Sequence, residues 1–348
     1  MKKALVITPL IVACTGAHAT IHHTHTNAIT AHNIGIIQHN ITQNAIKSFN
    51  LQNTHAFKQN KHENYSSLYG TNQTYGEYNE DGTIGHNGGD NHSKELANTW
   101  LDWQHTGDKV KYDNIKPIKT DTDIIMAGLA SAKSENHPTQ YNWGTYIGYI
   151  NSNQSVDSIE IKNQGGFFGI YNGLFVNNFT LKTTMNAGVL DTYTSTDIIN
   201  DDNITNFWIG AATNASYDII LDSTFILRPV LHIGYTWFQS KDYISKSGEY
   251  ITNQNFNLFE ITPEIQAIKH IGNGWFGQAS FKYSTNLSNH ADTYIDKTKL
   301  QSLSDLKFAE YSISIGKNIS NTNISATIGR HDGDIYGWFG GANIKYLF

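Results

Sequence analysis

Alternation of apolar and polar residues is the feature that most restricts how this chain can fold. From residue 99 onward, segments of alternating character recur between clusters of Asn, Asp, Gly and Ser. In the last segment, G-G-A-N-I-K-Y-L-F, the residues Ala342, Ile344, Tyr346 and Phe348 share one face, and the opposite face is mostly polar. A period of two is that of a β-strand between an apolar and an aqueous environment. We therefore predict an all-β protein.

The connections between these segments distinguish a membrane barrel from a soluble β-sandwich, whose strands also have one apolar face. Tight turns such as V-N-N-F, L-D-S-T-F, H-I-G-N-G-W and N-I-S-N-T-N alternate with long polar loops at 195–204, 239–254 and 285–305. Short turns at one end and long loops at the other are typical of outer-membrane barrels. Twelve candidate strands can be counted, and an even number leaves both ends of the barrel sequence in the periplasm. We predict a twelve-stranded antiparallel transmembrane β-barrel over 99–348.

The composition excludes two other classes of protein. The chain has 24 Lys plus Arg against 30 Asp plus Glu, and its only arginines are Arg228 and Arg330, so it cannot form a basic face for nucleic acid. The one long uncharged apolar run, A-L-V-I-T-P-L-I-V-A, is too short to cross a bilayer as a helix. Neither a nucleic-acid-binding protein nor a helical membrane protein is expected.

The same apolar run predicts export. It follows M-K-K and precedes small residues that end at Ala19, so residues 1–19 are predicted to be a secretory signal peptide. In the alternative interpretation, I-V-A-C is a lipobox and Cys14 becomes the lipidated first residue. Cys14 is the only cysteine, and both interpretations export the protein.

Three local patterns carry a resemblance to a known family. They are Q-G-G-F-F-G-I-Y-N-G at 164–173, L-R-P-V-L-H-I-G-Y at 227–235, and the final G-G-A-N-I-K-Y-L-F. In their order and spacing, residues 99–348 resemble the autotransporter β-domain, the translocator barrel of type V secreted proteins. The resemblance implies the outer membrane of a Gram-negative bacterium, assembly by secretion and barrel-assembly machinery, and a surface of membrane lipid and lipopolysaccharide around a monomer. Phe348, Tyr346, Ile344 and Ala342 resemble the C-terminal assembly signal of outer-membrane proteins.

Residues 20–98 are polar and rich in His and Asn, with no solenoid repeat, and they are predicted to be a short passenger or a plug rather than a second core. The resemblance implies a helix in the barrel lumen ahead of the first strand. One candidate is 41–58, where Ile46, Phe49, Asn53 and Phe57 have helical spacing. The other is S-K-E-L-A-N, with Ser93 as N-cap.

Polar residues on two neighbouring strands are predicted to face the lumen, provided that Phe225 and Phe259 face lipid. They are Arg228, His232, Glu260, Thr262, Glu264 and Gln266. Charges on the inner face of a barrel are ordinarily solvated wall residues. The alternative is that Arg228, His232, Glu260 and Glu264 contact the plug.

The N-terminus that cleavage after Ala19 would create is a candidate metal site. Its amine on Thr20 and the imidazole of His22 could bind Cu(II) or Ni(II) in a square plane, with His23 and His25 as further donors. The alternative is a low-complexity tract without a ligand. No other cofactor is expected.

Two segments contain residue types that outer-membrane enzymes use. R-H-D-G-D at 330–334 has the Asp and His of barrel proteases, and S-N-H at 288–290 has residues of the outer-membrane phospholipase. Neither has the order or spacing of those families, so we do not expect an enzyme. The sequence therefore predicts a barrel that anchors and translocates a short N-terminal segment. A passive channel for small polar solutes and an adhesin acting through loops 239–254 and 285–305 are the alternatives.

Overall fold

The computed structural model describes residues 98–348 apart from short connections, together with a few residues nearer the N-terminus. The connections outside the description are 113–114, 132–138, 157–158, 197–201, 245–249, 290–291, 296–297 and 300–305, and the upstream residues inside it are Ile37, Asn40, Ile41, Thr42 and Ala45. The predicted signal peptide, Cys14, the histidine tract and most of both candidate helices lie outside the described residues. No helix among the described residues is both long and apolar enough to cross a membrane.

Sixteen strands follow one another in the described part of the chain, and twelve of them are long. The long strands are β1 (Asn98–Tyr112), β2 (Ile115–Ala130), β3 (Thr139–Val156), β4 (Ile159–Val176), β5 (Phe179–Thr196), β6 (Asp202–Tyr217), β8 (Phe225–Ser240), β10 (Tyr250–Gly272), β11 (Trp275–Asn289), β14 (Lys307–Ile319), β15 (Thr322–Gly333) and β16 (Ile335–Leu347). The short strands are β7 (Ile219–Ile220), β9 (Tyr243–Ile244), β12 (Asp292–Ile295) and β13 (Thr298–Lys299).

The twelve long strands form a closed antiparallel barrel. Each pairs with the next long strand along the chain, and β16 pairs with β1 from Asn98↔Leu347 to Val110↔Ile335. Closure leaves no long strand with an unpaired edge, which is what a wall in lipid requires. The predicted twelve-stranded all-β barrel is confirmed.

The faces of the strands follow the alternation in the sequence. In β16, Ala342, Ile344 and Tyr346 are exposed on the outer surface, whereas Asn343 and Lys345 are buried on the inner one. The same arrangement is found around the wall, where many large apolar side chains are exposed on the outer surface and many polar ones are buried on the inner surface. An apolar outer surface and a polar interior are the pattern of a barrel in a membrane.

The predicted tight turns are present, and all lie at the end of the barrel that holds Asn98 and Leu347. Asn177, Asn273 and Ser320 begin three of them with φ values of 51°, 50° and 50°. Asn tolerates this left-handed conformation better than most residues, which explains V-N-N-F and G-N-G-W as turn sequences. The fourth, L-D-S-T-F, closes a hairpin between β7 and β8. In it, the hydroxyl and N–H of Thr224 donate hydrogen bonds that lower the pKa of the Asp222 carboxyl.

Two strands are longer than the sequence pattern indicated. β1 continues past W-L-D-W-Q-H to Tyr112, and β10 begins at Tyr250, inside the predicted loop 239–254. Both extensions are paired with neighbouring strands, Val110 with Ile118 and Ile251 with Ile295. Pairing between strands satisfies the backbone where local alternation is weak, so these bounds depend on the tertiary structure.

Aromatic rings on the inner surface lie close to glycines that are directly opposite them on a neighbouring strand. A Cβ atom on any of these glycines would be 2.2–2.4 Å from a ring atom. The pairs are Trp100 with Gly128, Tyr171 with Gly144, Phe167 with Gly148, Tyr146 with Gly169, Trp208 with Gly188, Phe276 with Gly316, and Phe339 with Gly329. The missing side chains leave room for the rings against the wall.

Candidate functional site in the barrel lumen

Helical residues from the N-terminal segment are packed inside the barrel. Ile37, Ile41 and Ala45 are spaced four apart, so they form one stripe of a helix. They belong to an apolar cluster that otherwise consists of inner-face residues of the wall, Trp100, Ile124, Met126, Ala130, Tyr146, Ile150, Phe167, Tyr171, Phe175, Leu190, Trp208, Phe238 and Leu258. Asn40 and Thr42, on other sides of the helix, are also buried. The helix is therefore enclosed.

The wall side of this cluster, which we call the aromatic cradle, is formed by Trp100, Tyr146, Phe167, Tyr171 and Trp208. Neighbouring ring centroids are 6.0–6.4 Å apart. The polar atoms of Trp100, Tyr146 and Tyr171 form hydrogen bonds with other wall residues. The Trp100 indole donates to the Tyr171 hydroxyl at 3.1 Å, and the Tyr146 and Thr184 hydroxyls are 2.8 Å apart. The rings can therefore offer apolar surface to the helix without leaving buried donors unpaired.

The opposite side of the lumen is charged. Lys282 on β11 forms an ion pair with Glu310 on β14, with 2.8 Å between Nζ and Oε1. Glu264 on β10 is directly opposite Lys282, and Glu260 lies four residues away on the same buried face of that strand. The Thr262 hydroxyl donates a hydrogen bond to Glu260 and is 2.9 Å from the hydroxyl of Ser284 on β11. Three adjacent strands thus hold three carboxylates around one lysine.

His331 extends the charged side to the seam between the first and last strands. Its Nδ1 is 2.9 Å from Oδ2 of Asp108 on β1, and its Nε2 is 3.5 Å from Oε2 of Glu310. Strand β16 lies between β15 and β1, but the residue there is Gly337, which pairs with both His331 and Asp108. A Cβ on Gly337 would be 2.3 Å from Oδ1 of Asp108. The histidine and the aspartate meet because nothing stands between them.

The loop end of the lumen is lined by a second apolar cluster, which we call the loop-end layer. It consists of Val110, Ile118, Val156, Ile159, Ile161, Leu306, Phe308 and Ile335, all buried. This layer was not predicted from the sequence, because a polar inner surface was expected throughout. A signal was present in the register, since continuing the alternation of β1 beyond Trp100 places Val110 on the inner face.

The predicted lumen residues do lie on the inner surface. Arg228, His232, Glu260 and Glu264 are buried there. The guanidinium of Arg228 is bidentate on Asp218, with Nη2 to Oδ2 at 3.0 Å, and ties β8 to the connection before it. Glu260 accepts a hydrogen bond from Thr262, and Glu264 accepts one from Gln266. That these four residues contact a plug stays a prediction.

The other predicted sites have different outcomes. The C-terminal residues Ala342, Ile344 and Tyr346 face outward, and the Phe348 ring stacks on Tyr346 with centroids 6.2 Å apart. Their role in assembly stays a prediction. Thr20, His22, His23 and His25 lie outside the described residues, so copper or nickel binding also stays a prediction. In R-H-D-G-D, Arg330 faces outward over Trp338, and His331 faces the lumen.

A further group of potential ligands lies on the outer surface, where the sequence analysis expected none. His105, Asp121 and Asp123 place their ligand atoms within 4.8 Å of one another. These side chains satisfy each other, since Nδ1 of His105 is 3.1 Å from Oδ1 of Asp123 and the Trp103 indole donates to the same oxygen. The group therefore needs no cation to explain its geometry.

A closed wall with an apolar outer surface, a polar and aromatic lumen and a helix inside it defines a transmembrane β-barrel. Its fold is that of autotransporter translocator domains. The chain is similar to the translocator domain of the autotransporter NalP from Neisseria meningitidis, with a TM-score of 0.60, 12% identity, and 74% of this chain and 90% of that one covered. It is similar to the β-domain of the Bordetella autotransporter BrkA, with a TM-score of 0.58 and 11% identity over 72% of this chain and 98% of that one.

A third similar structure is the transport unit of the autotransporter AIDA-I from Escherichia coli. The TM-score is 0.57 with 14% identity, over 75% of this chain and 93% of that one. The sequence matches no protein-family model and, at a significant level, no curated protein. The similarity is therefore one of fold, and it agrees with the resemblance that the strand patterns carried.

Proposed function

We propose that the protein is an outer-membrane β-barrel of the autotransporter type, which anchors a short N-terminal segment and carries it to the surface of a Gram-negative cell. The observation that best supports this is the helical stripe of Ile37, Ile41 and Ala45 within the aromatic cradle. The stripe precedes β1 by more than fifty residues of chain, so a segment upstream of the wall occupies the lumen. Similar barrels are described as translocator domains or transport units.

The two sides of the lumen would act differently on a chain inside it. The aromatic cradle would hold the apolar stripe of a helix. The charged side, with Lys282 between Glu260, Glu264 and Glu310, would keep water and polar groups beside the rest of the segment, so that the chain need not lose its hydration. The wall satisfies its own backbone groups in lipid, which leaves the lumen free for this role. The proposal includes no catalytic step and no cofactor.

An epitope tag inserted after His25 tests the proposal on intact cells. If the N-terminal segment crosses the membrane, we expect antibody and added protease to reach this tag while the outer membrane is whole. As a matched control, a second tag between Asp222 and Ser223 lies in an exposed turn at the end that we place in the periplasm. The control tag should be reached only after the outer membrane is broken.

Two outcomes would contradict the proposal. If the tag after His25 is also reached only in broken cells, the segment is periplasmic or held in the lumen, and translocation is wrong. If the tag beside Asp222 is reached in intact cells, the orientation of the barrel is wrong. A passive channel has less support, because the helix lies within the lumen and the loop-end layer lines it with apolar side chains.

A further inference from the structure

Two lysines face each other on the outer surface of the barrel near its loop end. Lys109 on β1 is directly opposite Lys119 on β2, and both side chains are exposed on the face that points away from the lumen. Like charges at directly opposed positions of an antiparallel pair destabilise it. The pair stands out in a chain whose formal net charge is −6. An anion between the two ammonium groups would remove the repulsion.

A third lysine and an aromatic ring complete the group. Lys111 follows Lys109 on the same face. Its Nζ is 4.5 Å from the centre of the Tyr336 ring, and Nζ of Lys109 is 5.9 Å from it. Tyr336 on β16 is itself directly opposite Lys109. Cation–π contact on one side orients both ammonium groups but leaves their charge without a counterion.

No carboxylate on the described residues lies at ion-pair distance from this lysine group. None of Lys109, Lys111 and Lys119 forms an ion pair within the described part of the chain. The acidic residues nearest along β2, Asp121 and Asp123, are 3.7 Å and 3.1 Å from Nδ1 of His105, and neither forms an ion pair with a lysine of the group. The lysines therefore present positive charge outward, toward whatever surrounds the barrel.

The height of the group on the wall indicates what surrounds it. Tyr336 is two residues nearer the loop end of β16 than Trp338, whose ring is 60% exposed on the outer surface. Exposed aromatic residues of this kind form the girdle where the hydrocarbon region meets the headgroups. Two residues of a tilted strand correspond to about 5 Å along the membrane normal. Flexible lysine side chains at that height reach the headgroup layer rather than the hydrocarbon or the bulk solvent.

We propose that Lys109, Lys111 and Lys119 bind the phosphate groups of a phosphorylated glycolipid in the outer leaflet, with Tyr336 orienting two of the ammonium groups. The site fixes the rotational position of the barrel relative to one bound lipid, and it lies next to the seam between β1 and β16. It rests on the outer-membrane location and orientation in the proposed function, but it does not require that any segment be translocated.

Lipid binding to the purified full chain in non-ionic detergent tests the site. The probe is bisphosphorylated lipid A in mixed micelles, and the measurement is its dissociation constant. We expect Lys109→Gln/Lys119→Gln to bind about thirtyfold more weakly, because each lysine near an anionic lipid surface contributes about fivefold. The matched control is Lys317→Gln, since Lys317 also lies over an exposed tryptophan, 4.9 Å from the Trp275 ring centre, but at the other end of the wall. The control should bind as the wild type does.

A measurement without lipid separates repulsion from misfolding. Because the like-charge pair is removed, the double variant should be at least as resistant to thermal unfolding as the wild type when no lipid is present. If the double variant is less resistant, the single variant Lys119→Gln replaces it and should show about fivefold weaker binding.

Three results would overturn the proposal. The first is equal lipid A binding by wild type and the lysine variants. The second is equal binding of dephosphorylated lipid A by the wild type, which would make the phosphates irrelevant. The third is full competition by inorganic phosphate at the concentration of the lipid, which would indicate a general anion site. None of these results depends on the tag after His25, so failure of this site and failure of translocation can be told apart.

Discussion

Single glycines on the inner surface determine where the aromatic rings of this barrel can lie. Gly169 on β4 is directly opposite Tyr146 on β3, and a Cβ there would be 2.2 Å from the phenol ring. The same ring contacts Trp100, Phe167 and Tyr171, so it cannot move without disturbing the aromatic cradle. The glycine is therefore required by packing rather than by backbone conformation.

Gly169→Ala tests this at the scale of one atom. We expect the variant to lose about 1–3 kcal/mol of stability, because an added methyl group in a packed interior forces neighbours from their preferred positions. Gly166→Ala is the matched control on the same strand, since a Cβ at Gly166 faces outward and comes no nearer than 3.7 Å to Gly148. The temperature at which the folded band disappears in detergent gels measures both. Equal unfolding temperatures for the two variants would show that the Tyr146 ring has space for an added methyl group.

At the scale of elements, the helix in the lumen is held by one stripe and surrounded on its other sides. Ile37, Ile41 and Ala45 are 2%, 0% and 1% exposed, and Asn40 and Thr42 are nearly as buried. A helix in solution would expose one of these faces. The enclosure identifies the helix as part of the folded barrel, and its apolar stripe begins before the segment 41–58 that spacing indicated.

Thiol labelling of Ala45→Cys tests the enclosure, because the predicted mature chain contains no other thiol. We expect a maleimide to react with this cysteine slowly in the folded protein and completely after denaturation. Adding Ile41→Asp should speed labelling at least about tenfold, because a carboxylate within the apolar cluster opposes docking of the helix. Asp222→Cys, in an exposed turn, is the positive control and should react at once. Fast labelling of Ala45→Cys alone would mean that the helix leaves the lumen readily.

At the scale of the whole molecule, two obstacles lie one behind the other along the lumen. The helix packs in the aromatic cradle, and the loop-end layer of Val110, Ile159, Phe308 and its neighbours lies nearer the loops. The two clusters share no residue. An ion that crosses the barrel must pass both, so we expect either obstacle alone to block the pore.

Conductance in planar bilayers tests this arrangement. We expect Ile41→Asp alone and Ile159→Ser/Phe308→Ser alone to leave the conductance close to that of the wild type, because one obstacle remains in each. The combined variant should conduct several times more than either, by removal of both apolar barriers. Ile41→Leu is the conservative control and should behave as the wild type. An open wild-type pore would instead support the passive channel.

Much of the wall could be predicted from the sequence because its cause is local. A period of two, the even number of strands and the Asn-rich turns determine which residues face lipid, and these faces are confirmed from Phe225 on β8 to Tyr346 on β16. The extensions of β1 and β10 could not be predicted, because there the pairing of a neighbouring strand, and not the alternation, keeps the backbone extended.

The lumen depended on the tertiary structure for a geometric reason. His331, Asp108 and Glu310 all face inward in the barrel, but their contact needs β15, β14 and β1 to be brought together by closure of the barrel, and it needs a residue without a side chain, Gly337, between His331 and Asp108. The lysines at 109 and 119 become a site only through the register of β1 against β2. The sequence by itself determined the class of wall and the faces of its clearly alternating strands; only the closed barrel decided which inward and outward groups meet, since strand register and curvature set distances that no local pattern contains.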